Sequence, residues 1–382
     1  MNRIETYRQC AIGVMDTIAD PDIRFDENGV SNYYHEYKKA EAERVIRGEQ
    51  GRKKLEQTLD AIKADGKGKP YDCIMGLSGG VDSSYVAWIA KQYGLRPLAV
   101  HFDNGWNSEL AVKNIESMVN KLGFDLHTLV VNWEEFRDIQ LSYLKASVID
   151  IEVVTDHAIS GTIARLCKKY NIRYSLSGSN IVTEFVMPRS WIFNKSDHVN
   201  LLAIHKEFGT VPLKTYPIYS TFYKKYLRNY LKAESVSLLN YVDYNKEEVK
   251  HTISRELGWR DYGGKHYESI FTKFYQAYIL PTKFHVDKRK AHLSNLIFSG
   301  QMSREEALRE LEKPLYPDVE FRKDYEFVLK KFDLTDAGFQ ELMSRPIKKH
   351  TDYPIERSLF DRYPMLRVLK PFRNLFAIHQ PK

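Results

Sequence analysis

Cysteine is scarce: Cys10, Cys73 and Cys167 are the only three in 382 residues. That is too few for a disulfide framework, which sets aside the stapled secreted class and makes a reducing, cytoplasmic location the default expectation. No apolar run approaches the ~20 residues that a membrane span requires. The opening Met1-Asn-Arg-Ile-Glu-Thr-Tyr7 carries no apolar signal core. Internal repeats and low-complexity stretches are missing too, which argues against a solenoid. What is present is a globular composition, 43% hydrophobic and 28% charged, in a chain long enough for one large α/β domain with an appendage, or for two domains. The net charge of +7 suits a nucleic-acid partner or a cleft for phosphates and carboxylates, and charge alone does not choose.

The stretch that organises the chain runs from Tyr71 to Tyr85. It reads as a buried strand (Cys73 to Leu77), a glycine turn, and a helix from Ser84 to Tyr93. Gly79 and Gly80 allow positive φ and close backbone approach to a ligand. Ser78, Ser83 and Ser84 add hydroxyls beside the N–H groups of a helix start, which together make a cradle for phosphate. No Gly-Lys-Ser/Thr closes the loop, so it is not a Walker A motif. Asp82 inside such a cradle repels phosphate unless a cation intervenes, so it reads as a Mg²⁺ ligand or a helix-start orienter.

Beyond Tyr71 strands and helices alternate, as in a doubly wound parallel sheet. Arg96 to Phe102 is the second strand, Leu126 to Val131 the third and Arg173 to Ser179 the fourth, with helices over 133–146 and 155–170. Ligands in such sheets bind beyond the carboxyl ends of the strands, so His101, Phe102 and Asp103 are expected to face a nucleotide. The tip Ser177-Gly-Ser-Asn180 again suits close approach to phosphate. Residues 37 to about 66 read as one solvated connecting helix, and 199 to 255 as amphipathic helix plus loop, with Tyr216, Tyr219, Tyr223, Tyr226 and Tyr230 as a packing face. The expected division is an N-terminal module with connecting helix (1–66), an α/β domain (67–235) and a helical C-terminal region that contributes to the substrate site (236–382).

Ser78-Gly-Gly-Val-Asp-Ser83 resembles the pyrophosphate loop of the ATP-pyrophosphatase superfamily, whose fold is that of the adenine nucleotide alpha hydrolases. The resemblance implies ATP and Mg²⁺ as cofactors and cleavage between the α and β phosphates. It narrows at Cys10-Ala-Ile-Gly13-Val-Met-Asp-Thr17 and Asp20 to Tyr34, which are similar to the N-terminal module of the N-acetyl sugar amidotransferases of bacterial surface-polysaccharide pathways. Members carry two CxxC pairs there, the spacing of a zinc knuckle. Here Gly13, Ser31 and Tyr34 stand at three of the four positions, so a degenerate knuckle held by Ile12, Val14, Met15, Ile23, Phe25 and tyrosines is expected, without structural zinc. A second block from Gly258 to Ser294 resembles the C-terminal signature of that family, so the match spans roughly residues 10 to 311.

The resemblance places Gly178, Asn180, Thr183 and Glu184 at the active site, and Arg189 suits a carboxylate or phosphate as a bidentate fork. Asp156 and His157 are candidates for a general base or an ammonia-orienting group, against a capping or structural role. Lys265, Lys288 and Arg289 are expected on phosphates or a sugar carboxylate, Lys265 with a catalytic role, and His266 and Glu268 on the substrate. The implied reaction converts the acetamido group of a nucleotide-linked N-acetyl sugar, UDP- or CMP-linked and with uronic acids among the candidates, to an acetamidino group, in O-antigen lipopolysaccharide biosynthesis. Asn2 stands where a fused glutaminase has its cysteine, so a separate glutaminase with a barrel-type ammonia conduit is the expected partner. A tRNA-modifying ATP pyrophosphatase of the thiolase or lysidine-synthetase kind is the alternative; the missing cysteine pair weighs against it, and a nucleic-acid partner is not expected. A nucleotide-binding scaffold without turnover is the third reading.

Overall fold

The computed structural model describes residues 7–264 and 267–357. Its centre is a five-stranded, all-parallel sheet in the order β3-β2-β1-β4-β5, with β1 Cys73–Gly76, β2 Pro97–Asp103, β3 Asp125–Val130, β4 Tyr174–Leu176 and β5 Glu234–Val236. Cys73 pairs with Pro97 on one side and Tyr174 on the other. The apolar run Cys73-Ile74-Met75 is buried because helices cover both faces of a parallel sheet. The chain winds from β1 outward to β3, then returns across to β4. The strand order therefore reverses between β1 and β4, and a crevice opens beyond their carboxyl ends.

One face packs Leu55, Leu59 and Ile62 of helix Gly48–Gly66 with Val86, Ile89, Val249 and Ile253. Against the other face Ile74, Leu98 and Val100 meet Leu166, Cys167 and Ile172. The largest core lies beside the sheet and joins Met15 and Tyr37 near the N-terminus to Phe136, Tyr143, Phe274, Phe332 and Phe339. No helix among the described residues is long and apolar enough to cross a membrane.

Three local expectations are corrected. The helix after the glycine turn is Val81–Gln92, so Asp82, Ser83 and Ser84 all sit in its first turn. The expected single connecting helix is two, Asn32–Arg44 and Gly48–Gly66, broken where Ile46 N–H donates to the Asn240 carbonyl. The fifth strand escapes notice because Glu-Ser-Val is short and half exposed. Of the tyrosine stripe, Tyr216 and Tyr219 are buried, whereas Tyr226 and Tyr230 stack along helix Thr221–Tyr230 with Tyr230 exposed.

The N-terminal module keeps two tight turns around one buried sulfur. Cys10 Sγ accepts from the N–H of Gly13 at 3.2 Å and of Ser31 at 3.3 Å. The remaining space is filled by carbon: Tyr34 meets the Phe298 ring edge-on at 5.2 Å, and a Cβ added at Gly13 would lie 2.9 Å from that ring. A side chain at Gly13 therefore has no room. Val14 N–H donates to Ser294 Oγ at 3.1 Å, which fastens the module to the same helix, Lys288–Phe298. Of the expected apolar residues, Val14, Met15 and Ile23 are buried and Ile12, Phe25 and Tyr34 pack partly against the core.

Phe298→Ala should lower unfolding free energy by about 3–5 kcal/mol in urea titrations, because it opens a cavity beneath Cys10. A second expectation concerns His350, buried against Phe193 at 4.3 Å, donating from Nδ1 to Asn200 Oδ1 and accepting at Nε2 from Asp150 N–H. Burial, with the Lys195 ammonium nearby, pushes its pKa down to about 3. The unfolded imidazole binds a proton that the folded one refuses, so stability is lost as pH falls below the free value near 6.5. About 2 kcal/mol should go between pH 7 and pH 5, and His350→Asn should flatten that slope by about one proton.

Candidate active site

The loop that leaves β1 crosses the reversal point and turns at Gly79, whose φ of +83° glycine alone adopts cheaply. Gly80 is the N-cap of helix Val81–Gln92. A helix start leaves its first N–H groups without intrahelical acceptors, here in the Val81 to Ser83 turn, and the helix dipole adds positive potential. Ser78 Oγ accepts from Gly80 N–H at 3.2 Å and lies 3.1 Å from Ser83 Oγ. Gly178, at the tip of β4, closes the other side. A Cβ there would come within 3.1 Å of Ser83 N and 3.2 Å of Asp82 Cβ, so only glycine lets the two tips meet.

Two donors from outside hold the turn. Trp259 Nε1 donates to the Gly79 carbonyl at 2.7 Å and the Tyr262 hydroxyl donates to the same oxygen at 3.0 Å. Tyr244 donates its hydroxyl to Asp82 Oδ1, and burial followed by the Asp82 charge raises the phenol's pKa.

The loop opens into a cleft of about 760 Å³. Ser78, Gly80, Asp82, Ser83, Gly178, Thr183, Glu184, Glu268, Lys288 and Arg289 line it, so these expected residues come together. The Glu268 carboxylate stands 3.4 Å from where a Gly80 Cβ would be. Asp82, Glu184 and Glu268 line this cleft with the Ser78 and Ser83 hydroxyls, and hard oxygen donors of this kind suit Mg²⁺ that is shared with substrate phosphates. Among the described residues no group of three or more His, Cys, Asp or Glu could by itself hold a metal ion.

Several expected residues have other work. Ser84 is fully buried and donates its hydroxyl back to the Gly80 carbonyl at 2.7 Å. Asn180 caps the turn Ile181–Glu184, accepting from Thr183 N–H at 2.9 Å. Arg189 is exposed and outside the cleft lining. His157 is fully buried, with Nδ1 donating to the Lys195 carbonyl at 2.8 Å and Nε2 accepting from Tyr219 N–H at 3.0 Å; it is a strut, and burial lowers its pKa.

Asp156 is no N-cap and does not line the cleft. It lies in a recess with about half its side chain accessible, 3.2 Å from Lys195. Crowding in that recess pushes its carboxyl up, against the pull of Lys195. At the β2 tip, His101 Nδ1 donates to the Leu77 carbonyl and Nε2 accepts from Asn107, while burial lowers its pKa. Phe102 packs on Phe136, and Asp103 accepts from Gly105 N–H in a turn, so this tip braces β1 rather than lining the cleft.

Arg289 lines the cleft, yet its guanidinium grips Asp287 and the carbonyls of Glu310, Leu311 and Lys313, which corrects its expected phosphate role. Lys288 pairs with Glu152 at 2.9 Å. Lys265 and His266 lie outside the described residues.

Sequence reasoning gave no role to Tyr244, Lys246, Trp259 and Tyr262, all of them at the cleft or on the loop, nor to His292, which stands in the Gly258 to Ser294 block and lines the cleft. Lys246 donates to His292 Nε2 at 3.2 Å, which requires a neutral imidazole. The only available signal was the glycine- and aromatic-rich Gly258 to Tyr262 block; Tyr244 and Lys246 follow the strand that had escaped notice.

Residues 268–367 match the family described as LPS biosynthesis protein WbpG-like, C-terminal domain, and residues 72–179 match asparagine synthase. No curated protein matches the chain. Similar solved structures include an NH3-dependent NAD synthetase from Campylobacter jejuni subsp. jejuni NCTC 11168 in complex with the nitrate ion, 18% identical over 47% of this chain and 76% of that one, with a TM-score of 0.29. An NMN synthetase from Francisella tularensis is 14% identical over 74% of this chain and 96% of that one, with a TM-score of 0.32. A predicted subunit of tRNA methyltransferase from Methanocaldococcus jannaschii DSM is 16% identical over 48% and 75%, with a TM-score of 0.26.

Replacing Arg289 separates the two roles weighed for it. Arg289→Ala should cost about 2 kcal/mol of stability in denaturant melts through the lost bonds to Asp287 and three carbonyls. Binding of a nucleoside triphosphate, followed by calorimetry on the folded variant, should change less than threefold.

Proposed function

We propose that this chain, with its WbpG-like segment at 268–367 and its asparagine-synthase-like segment at 72–179, is a WbpG-like amidotransferase of the ATP-pyrophosphatase superfamily that uses ATP to convert the acetamido group of a nucleotide-linked N-acetyl sugar into an acetamidino group. The observation that carries this reading is a shared wall. The phosphate cradle at the mouth of β1 opens into the same cleft as Glu268, Gln276 and Lys288 of the WbpG-like segment. One cavity thus presents a triphosphate site and an acceptor site to each other.

A neutral amide is a poor electrophile. The acetamido oxygen attacks the α-phosphorus, the α–β bridging bond breaks, and pyrophosphate leaves. Ammonia then adds to the activated carbon, AMP departs with the oxygen, and one proton is released. The N–H groups of the Val81 to Ser83 turn, with the Ser78 and Ser83 hydroxyls, bind the departing pyrophosphate where its charge grows. Mg²⁺, held by Asp82 and Glu184 when bound, supplies neutralisation for a cradle that has no lysine of its own. Tyr244 holds the Asp82 carboxylate in place through its hydroxyl. Gln276 and Lys288, both bonded to Glu152, form the wall against which the sugar is positioned. The ammonia comes from a separate glutaminase with a barrel-type conduit, and the reaction belongs to cytoplasmic O-antigen lipopolysaccharide synthesis.

Incubating the protein with ATP, Mg²⁺, ammonium and a panel of UDP- and CMP-linked N-acetyl sugars, uronic acids included, tests this by mass spectrometry. Replacement of the acetamido oxygen by NH in one of them is the expected product. Asp82→Ala and Ser78→Ala should each reduce its formation at least a hundredfold while leaving the melting curve within a few degrees. A panel left unmodified, with tRNA instead driving pyrophosphate release, would replace this reading by the nucleic-acid one.

A further inference from the structure

We propose that Trp259 and Tyr262 are positioning residues for phosphate binding: by holding the Gly79 carbonyl they fix which way the Gly79–Gly80 peptide faces. The inference rests on reading the β1 loop as the triphosphate site, and it assigns part of that site to the C-terminal half of the chain.

A carbonyl oxygen has two acceptor positions, and here Trp259 Nε1 at 2.7 Å and the Tyr262 hydroxyl at 3.0 Å take both. In a trans peptide the N–H points opposite to the C=O. With the Gly79 oxygen drawn toward the two aromatics, the Gly80 N–H must face the other way, toward Ser78 Oγ and the cleft, as found at 3.2 Å. A Gly-Gly peptide has little intrinsic preference between this orientation and its flip. The flipped peptide would aim a carbonyl oxygen into the cradle, where it repels phosphate. The two donors therefore select the anion-binding form of the loop. They also limit its residues, since a Cβ at Gly79 would fall 2.7 Å from the Tyr262 hydroxyl.

The donors are themselves held in advance. Helix Lys246–Leu257 ends at Gly258 in the left-handed region, which throws Trp259 back toward the sheet. Buried Asn114, on helix Glu109–Leu122, then reads the backbone of the next residue from both sides. Its Nδ2 donates to the Arg260 carbonyl at 2.8 Å and its Oδ1 accepts from Arg260 N–H at 3.0 Å. Ser117 Oγ donates to the Leu257 carbonyl at 2.8 Å, and the Trp259 and Tyr262 rings meet edge-on at 5.8 Å. Trp259 is 2% exposed, so its indole N–H has no water to return to if the carbonyl turns away. Losing the arrangement costs a buried donor as well as an acceptor.

Tyr262→Phe removes one donor and keeps the ring; Trp259→Phe removes the other with some loss of volume. Titration calorimetry with the Mg²⁺ complex of α,β-methylene ATP, which cannot be cut at the scissile bond, reads the loop directly. Tyr262→Phe should raise the Kd about tenfold and Trp259→Phe at least as much. In turnover, the KM for ATP should rise while the KM for ammonium stays within twofold. Wild-type affinity in both folded variants would overturn the positioning role, as would equal rises in both KM values, which mark a general structural defect. If the wild-type protein itself fails to bind the analogue, the reading of the loop falls, and this inference with it.

Discussion

The structure depends on one electrostatic demand: a helix begins where a parallel sheet reverses direction, and a helix start carries N–H groups that its own helix cannot satisfy. Everything nearby accommodates that demand. Gly79 and Gly80 bring the backbone round, Gly178 lets the β4 tip come within van der Waals reach, and Ser78 and Ser83 extend the donor set. The loop from Ser78 to Ser84 has no lysine or arginine of its own, while carboxylates and cations both line the cleft it opens into, Asp82, Glu184 and Glu268 among the former and Lys246, Lys250 and Lys288 among the latter. Asp82 inside the loop itself disfavours a bare anion there and suits a phosphate that arrives with a divalent metal.

The rest of the chain makes this site single-minded. Aromatic side chains beyond β5 reach back to hold the loop at Gly79 and at Asp82. Arg289 staples helix Lys288–Phe298 to the C-terminal end of helix Arg304–Glu312, which keeps the far wall of the cleft in register. The other end of helix Lys288–Phe298 supplies Phe298 to the N-terminal module, where its ring and the hydrogen-bonded Cys10 thiol fill the space between the two turns. One helix thus serves the cleft at its start and the module at its end.

Much of this was legible in the sequence, and the reasons are local. β1 is an uninterrupted apolar run ended by two glycines, and helix Trp133–Ala146 has the expected bounds because Asn132 caps it. The cradle residues were found because backbone chemistry near glycine is written in the sequence itself. Roles set by tertiary partners were not. Arg289 looks like an anion fork until Asp287 and three carbonyls use it up, and His157 looks catalytic until both nitrogens meet backbone atoms. Tyr244 and Trp259 act on residues 162 and 180 positions away, a distance over which no spacing rule operates.

The proposed chemistry turns on where the triphosphate is cut. Phosphorus NMR of a reaction with ATP, Mg²⁺, ammonium and the accepted sugar nucleotide reads this without reference to any mutation. AMP and pyrophosphate in equal amounts are the result the proposed reaction predicts. ADP with inorganic phosphate would mean that the β1 loop grips the nucleotide for a different reaction.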